Sequence, residues 1–211
     1  MAQISPIKNY AGLSAIIVWL SLALQFYVSL KNTIVTTLET TIRFFSYYTV
    51  ETNLLIAICL TAVYLNGINE KGIFFTRPKT LTATAVYICI VGLTYNVILR
   101  FQWNPQGIDR VPDELLHLII PVIYLIFWSR FVPKQTIQWN NILPWAIFPV
   151  VYLLYTLWRG PMAADWYPYP FLNVKALGYN KVLLNSAMVT AVYLIFAVMV
   201  IAIAKAMSKK T

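Results

Sequence analysis

The stretch FFSYYTVETNLL, Phe44 to Leu55, decides how the rest of the chain is read. It opens an apolar run that continues to Leu65, long enough to cross a bilayer as one helix. Inside that run sit Thr49, Glu51, Thr52 and Asn53. Polar and ionisable side chains are costly in hydrocarbon, so at this depth they mark a candidate functional site. At about 100° per residue, Ser46, Thr49, Thr52, Asn53 and Ile56 fall on one stripe and Glu51 on the opposite side. The question for every other segment is whether it can face that stripe.

Composition gives the setting. Of 211 residues, 60% are hydrophobic and 11% charged. A soluble domain is about half apolar and a quarter charged, so the sequence predicts an integral membrane protein. Net charge is +9, but the cations lie between apolar runs rather than along a soluble face. They read as helix-orienting residues rather than a nucleic-acid surface. Six runs approach the span length: 10–30, 42–65, 80–99, 112–128, 142–158 and 182–204. The expected fold is all-α, a single six-transmembrane-helix bundle without a soluble domain. With six spans both termini share one side. That side carries nine cations, including Lys71, Arg77, Lys134, Lys209 and Lys210, against seven on the other. This places the termini in the cytoplasm and the protein in the plasma (bacterial inner) membrane. Cys59 and Cys89 lie within apolar runs and imply neither disulfide nor metal.

Polar and aromatic groups gather on the side opposite the termini. Run 3 ends there with Asn96, Arg100 and Trp103 on one stripe. Run 4 begins there with VPDELLHLIIP, which holds the only histidine, His117, about 7 Å below the helix start. Asp113 and Glu114 lie one turn above it on the same face, Pro121 and Tyr124 below. The connection from run 5 to run 6 adds Trp166 to Phe171. Each has an ordinary structural role open to it: Thr bonded to its own helix, Asn53 and Asn96 as interhelical contacts, Arg100 snorkelling, Asp113 and Glu114 capping. His117 is the exception, because a membrane-embedded imidazole needs partners for two nitrogens and titrates near neutrality.

A hydroxyl nucleophile needs a base, and the base needs a group that fixes its tautomer. Thr49, His117 and Asp113 supply these types at matching depth. Asn53, Asn96 or Arg100 could donate to a developing oxyanion. One histidine without a cysteine cluster argues against a metal, no cofactor is implied, and no G-x-S-x-G is present. Pro121 is the clearest break inside a run.

FFSYYTVETNLL, LLHLIIPVIYLIFW and WYPYPFLNV, in this order in a six-span chain, resemble the bacterial Pr6Pr membrane family. That family is similar to the animal androgen-induced and androgen-dependent TFPI-regulating proteins. The resemblance implies a transmembrane threonine hydrolase acting on fatty-acid esters of hydroxy fatty acids. It implies Thr49 as nucleophile and His117 as base, and aligns the family's Y-P-F-L element with Tyr169 to Leu172. The animal pattern has Asp three residues after the Thr, where this chain has Thr52 followed by Asn53. Its Pro lies one residue farther from the His. The nucleophile therefore stays open between Thr49 and Thr52.

The expected function is hydrolysis of a lipid or fatty-acyl ester in the membrane. Thr49, His117 and Asp113 would be catalytic; Thr52, Asn53, Asn96, Arg100, Glu114, Tyr124 and Tyr169 would bind substrate. A transporter or receptor for an amphipathic molecule would use the same pocket without chemistry. The sequence leaves the oligomeric state open.

Overall fold

The computed structural model describes residues 6–102 and 105–208. Trp103, Lys209 and Lys210, singled out above, lie outside the described residues. The chain is 83% helical, with no strand among the described residues. Six helices are long and apolar enough to cross a membrane: α1 (Pro6–Lys31), α3 (Tyr48–Asn66), α4 (Pro78–Leu99), α5 (Gly107–Phe131), α6 (Trp139–Met162) and α7 (Val174–Ser208). The expected six-helix, all-α bundle of an integral membrane protein is what forms. A shorter helix, α2 (Thr37–Phe45), precedes α3.

The run from 42 to 65 is therefore not one helix. Ser46 caps α2, Tyr47 is extended (φ −85°, ψ 125°), and a new helix starts at Tyr48. The start of α2 is legible: the Thr36 side chain accepts from the Glu39 N–H, the usual device for orphan amides in a first turn. Leu38, Ile42 and Phe45 stay exposed one turn apart, the apolar stripe of a helix lying in a membrane interface. Thr49 thus sits in the first turn of α3, where backbone N–H groups lack intrahelical acceptors.

Helix α1 packs closely along α3 through small residues. Ala11, Ser14, Ala15 and Ser21 are all buried, as expected where lipid gives no hydrophobic drive between helices. Helix α6 stands farther off and is held by tyrosines. The Tyr87 hydroxyl donates to Trp145 O (2.7 Å), Tyr193 to Ile142 O (2.8 Å) and Tyr152 to Ser46 O (3.1 Å). Trp145 O needs a partner because Pro149, four residues on, has no N–H. Pro149 is thus a second proline well inside a span, beside Pro121.

The segment from 163 to 173 folds back over the end of the bundle. It reverses at Ala164 and Asp165 (φ 53° and 60°). Gly160 makes room for it, since a Cβ there would come within 2.1 Å of the Tyr167 ring. Asn185 Nδ2 ties it to α7 through Phe171 O at 2.9 Å. Gly178 (φ 74°, ψ 157°) interrupts α7 one turn after its start, a conformation that suits glycine.

Candidate active site

Helices α4 and α5 each contain a widened turn, at Tyr95–Leu99 and Leu115–Ile119, in which hydrogen bonds reach back five residues. Such turns leave carbonyls without their ordinary donors and are frequent at functional sites. In α5 the Ile120 N–H donates to Leu115 O, passing over Leu116. Pro121 offers no N–H to His117 O, four residues back. Both carbonyls are taken by amides from neighbouring helices. Asn53 Nδ2 donates to Leu116 O (3.4 Å) and Asn96 Nδ2 to His117 O (3.3 Å). Each amide also donates to its own helix, at Thr49 O (2.8 Å) and Gly92 O (2.7 Å). Both nitrogens are thus committed to backbone carbonyls, and neither amide is left to meet an oxyanion.

This arrangement fixes the depth of the site. One amide bridges Thr49 O on α3 and Leu116 O on α5, so Thr49 and His117 lie at the same level on facing helices. Both line one cavity of about 830 Å³ at the end of the bundle opposite the termini. Arg43, Tyr47, Tyr95, Asp113, Trp166 and Tyr169 also line it.

His117 is held on three sides. Its Nδ1 is 2.8 Å from the backbone carbonyl of Asp113 and 3.3 Å from the carboxylate Oδ1. Two acceptors at Nδ1 favour the tautomer with the proton there, leaving Nε2 as the basic nitrogen. The ring stacks on Tyr95 (3.9 Å between centroids, 14° between planes). The Tyr95 hydroxyl donates a short hydrogen bond to the other oxygen of Asp113. Tyr95 is absent from the expected site residues, because the contact depends on the turn geometry of α4.

Thr49 pairs elsewhere. Its N–H donates to the Tyr169 hydroxyl at 3.2 Å, and the two hydroxyls are 3.3 Å apart. No hydrogen bond joins Thr49 to His117, although both line the cavity. Thr52 is fully buried and does not line this cavity.

Three further expected contacts are placed away from the cavity. Arg100 forms a short ion pair with Glu114, which Arg110 joins at 3.7 Å, and neither Arg100 nor Glu114 lines the cavity. Tyr124 is fully buried and donates to Leu81 O at 3.0 Å. The cavity-lining cation is instead Arg43 of α2. Glu39 accepts from Arg43 Nε (2.7 Å) and from Arg159 Nη2 (2.9 and 3.0 Å). Both guanidinium groups lie against Trp166, at 4.9 and 5.3 Å. The arginine bond holds the Glu39 carboxyl below its ordinary range. Glu39 and Arg43 lie one turn apart on α2, but Arg159 and Trp166 come from a distant part of the sequence, so spacing gave no signal for the whole cluster.

Comparison of the chain with models of known protein families, with curated proteins and with solved structures finds no match. Among the described residues no group of His, Cys, Asp and Glu could hold a metal ion.

Proposed function

We propose that the protein is an intramembrane hydrolase of lipid-like carboxylic esters. The observation that carries this is an oriented His117, with Asp113 behind it, sharing one cavity and one depth with Thr49. Thr49 Oγ attacks the ester carbonyl while His117 Nε2 takes its proton. Asp113 stabilises the resulting imidazolium. Negative charge on the carbonyl oxygen meets the positive end of α3 and the Tyr169 hydroxyl. His117 then protonates the leaving alcohol, which departs and leaves an acyl ester on Thr49. Water deprotonated by His117 cleaves that ester and releases the acid. Thr49 and His117 close on each other with substrate bound, as catalytic contacts often tighten beyond their apo geometry.

The resemblance to the Pr6Pr family and its animal relatives supports the same pair and an acid-headed fatty-acyl ester. A carboxylate headgroup would be read by Arg43, whose cluster of two arginines and one glutamate keeps one net positive charge. The cation distribution supports cytoplasmic termini and a bacterial inner-membrane location, which reporter fusions near Gly72 and Ala164 would check.

The Thr49–Tyr169 hydrogen bond favours a second reading, a binding protein or transporter that holds an amphipathic molecule without cleaving it. Fluorophosphonate labelling and ester turnover by the purified protein separate the two. Thr49→Ala and His117→Ala should each abolish turnover, and the double variant should be no worse, because members of one unit are not additive. Thr52→Val should keep activity, since Thr52 does not line the cavity. Full activity in Thr49→Ala removes it as nucleophile; bound ester without turnover establishes the binding protein.

A further inference from the structure

A second cavity, of about 160 Å³, meets the first at the site. Thr49, Tyr95, Leu99 and Tyr169 line both. From there the second cavity runs between α4, α6 and α7, past Ile90, Pro149, Leu153 and Val189. It exists because tyrosines hold α6 away from its neighbours: Tyr87 and Tyr193 reach across to the backbone of its first turns. At its outer rim Val150, Thr190 and Leu194 are exposed, on the flank of spans that face hydrocarbon. Ser186 and Thr190 bond their own helix, at Val182 O and Ser186 O, and present no free polar hydrogen to the slot.

We propose that this slot is the acyl-chain site of the enzyme, open sideways to the bilayer, and that it grips about the first six carbons of the chain. The proposal rests on the hydrolase reading above. Direction follows from proton traffic. His117 protonates the leaving oxygen and later activates water, so the alcohol leaves on its side, through the polar cavity. The acyl chain, which stays on Thr49 between the two steps, points the other way, into the slot. Its reach follows from size, because an apolar cavity of about 150 Å³ holds a six-carbon ring. Carbons beyond that pass the rim and lie in hydrocarbon, where they gain nothing further.

A p-nitrophenyl ester series from acetyl to dodecanoyl, corrected for micelle partition, tests this. Expected kcat/KM climbs by about a hundredfold or more from acetyl to hexanoyl and then levels, since each added methylene in a fitted pocket changes it severalfold. Ser186→Phe, inside the slot, and Thr190→Trp, at its rim where folding is not at risk, should cut hexanoyl turnover about tenfold and spare acetyl. Equal losses on both esters, or a flat chain-length profile, would overturn the slot. Photolabelling with a diazirine-bearing dodecanoate is independent of turnover. Label should fall on Val150, Val189 and Leu194 and vanish in Thr190→Trp. Label there without hydrolysis of any ester would leave the slot standing and remove the hydrolase; hydrolysis with label elsewhere would do the reverse.

Discussion

Asp113→Asn removes one charge behind His117 and almost nothing else. The asparagine keeps the shape of the side chain and an oxygen to accept from Tyr95. The magnitude follows from two contacts at Nδ1. At 3.3 Å, an imidazolium and a carboxylate attract by about 5 kcal/mol at an effective dielectric of 20. Beside an open cavity about half of that survives screening, roughly 2.5 kcal/mol, or close to two decades in kcat. Loss of about four decades is seen where a carboxylate alone fixes the tautomer. Here the Asp113 backbone carbonyl, closer at 2.8 Å, survives the substitution and still accepts from Nδ1–H. The expected loss is therefore about a hundredfold, with KM little changed. Steady-state ester hydrolysis in detergent reads it. A change under about threefold would mean that Asp113 does not act on the reacting imidazole. A loss near four decades would mean that the carbonyl contact does not hold the tautomer.

Arg100→Lys should leave KM for acid-headed and methyl-capped esters alike, because Arg100 is engaged by Glu114 outside the cavity. Arg43→Lys should raise KM for the acid-headed form alone, as an ammonium does not reproduce a planar fork. Asn96→Ala should lower stability to unfolding by about 1–3 kcal/mol by leaving the His117 carbonyl bare. In a Pro121→Ala background, which restores an N–H four residues on, the same change should cost less, and additive losses would discount the bridge. Glu39, held below its ordinary value of 4.5 by Arg43 first and Arg159 second, adds stability above that pH which is lost as pH falls through its lower folded value. Proteolytic cutting in α2 should hence rise only below about pH 4.5; uniform protection from neutrality to pH 3 would speak against the tie.

The six spans, their order and the end of the bundle that holds the polar cavity were legible in the sequence, because length and apolar run are local quantities. His117 and Asp113 were legible as a pair for the same reason: one helical turn separates them whatever the neighbours do. Thr49 was expected one to two turns inside its span but stands in the first turn, since Ser46 and Tyr47 end one helix and start another inside an unbroken apolar run. Tertiary structure decided the rest. Asn53 and Asn96 bridge helices because a proline and one widened turn leave carbonyls of α5 bare, and no periodicity announces a bare carbonyl. Arg100 paired with Glu114 while Arg43 reached the cavity, a choice made by where α2 lies relative to α6. The slot beside Thr49 depends on tyrosines holding α6 at a distance. Spacing along one chain fixes which side chains share a helix face; which face meets which, and how closely, is set only when the helices pack.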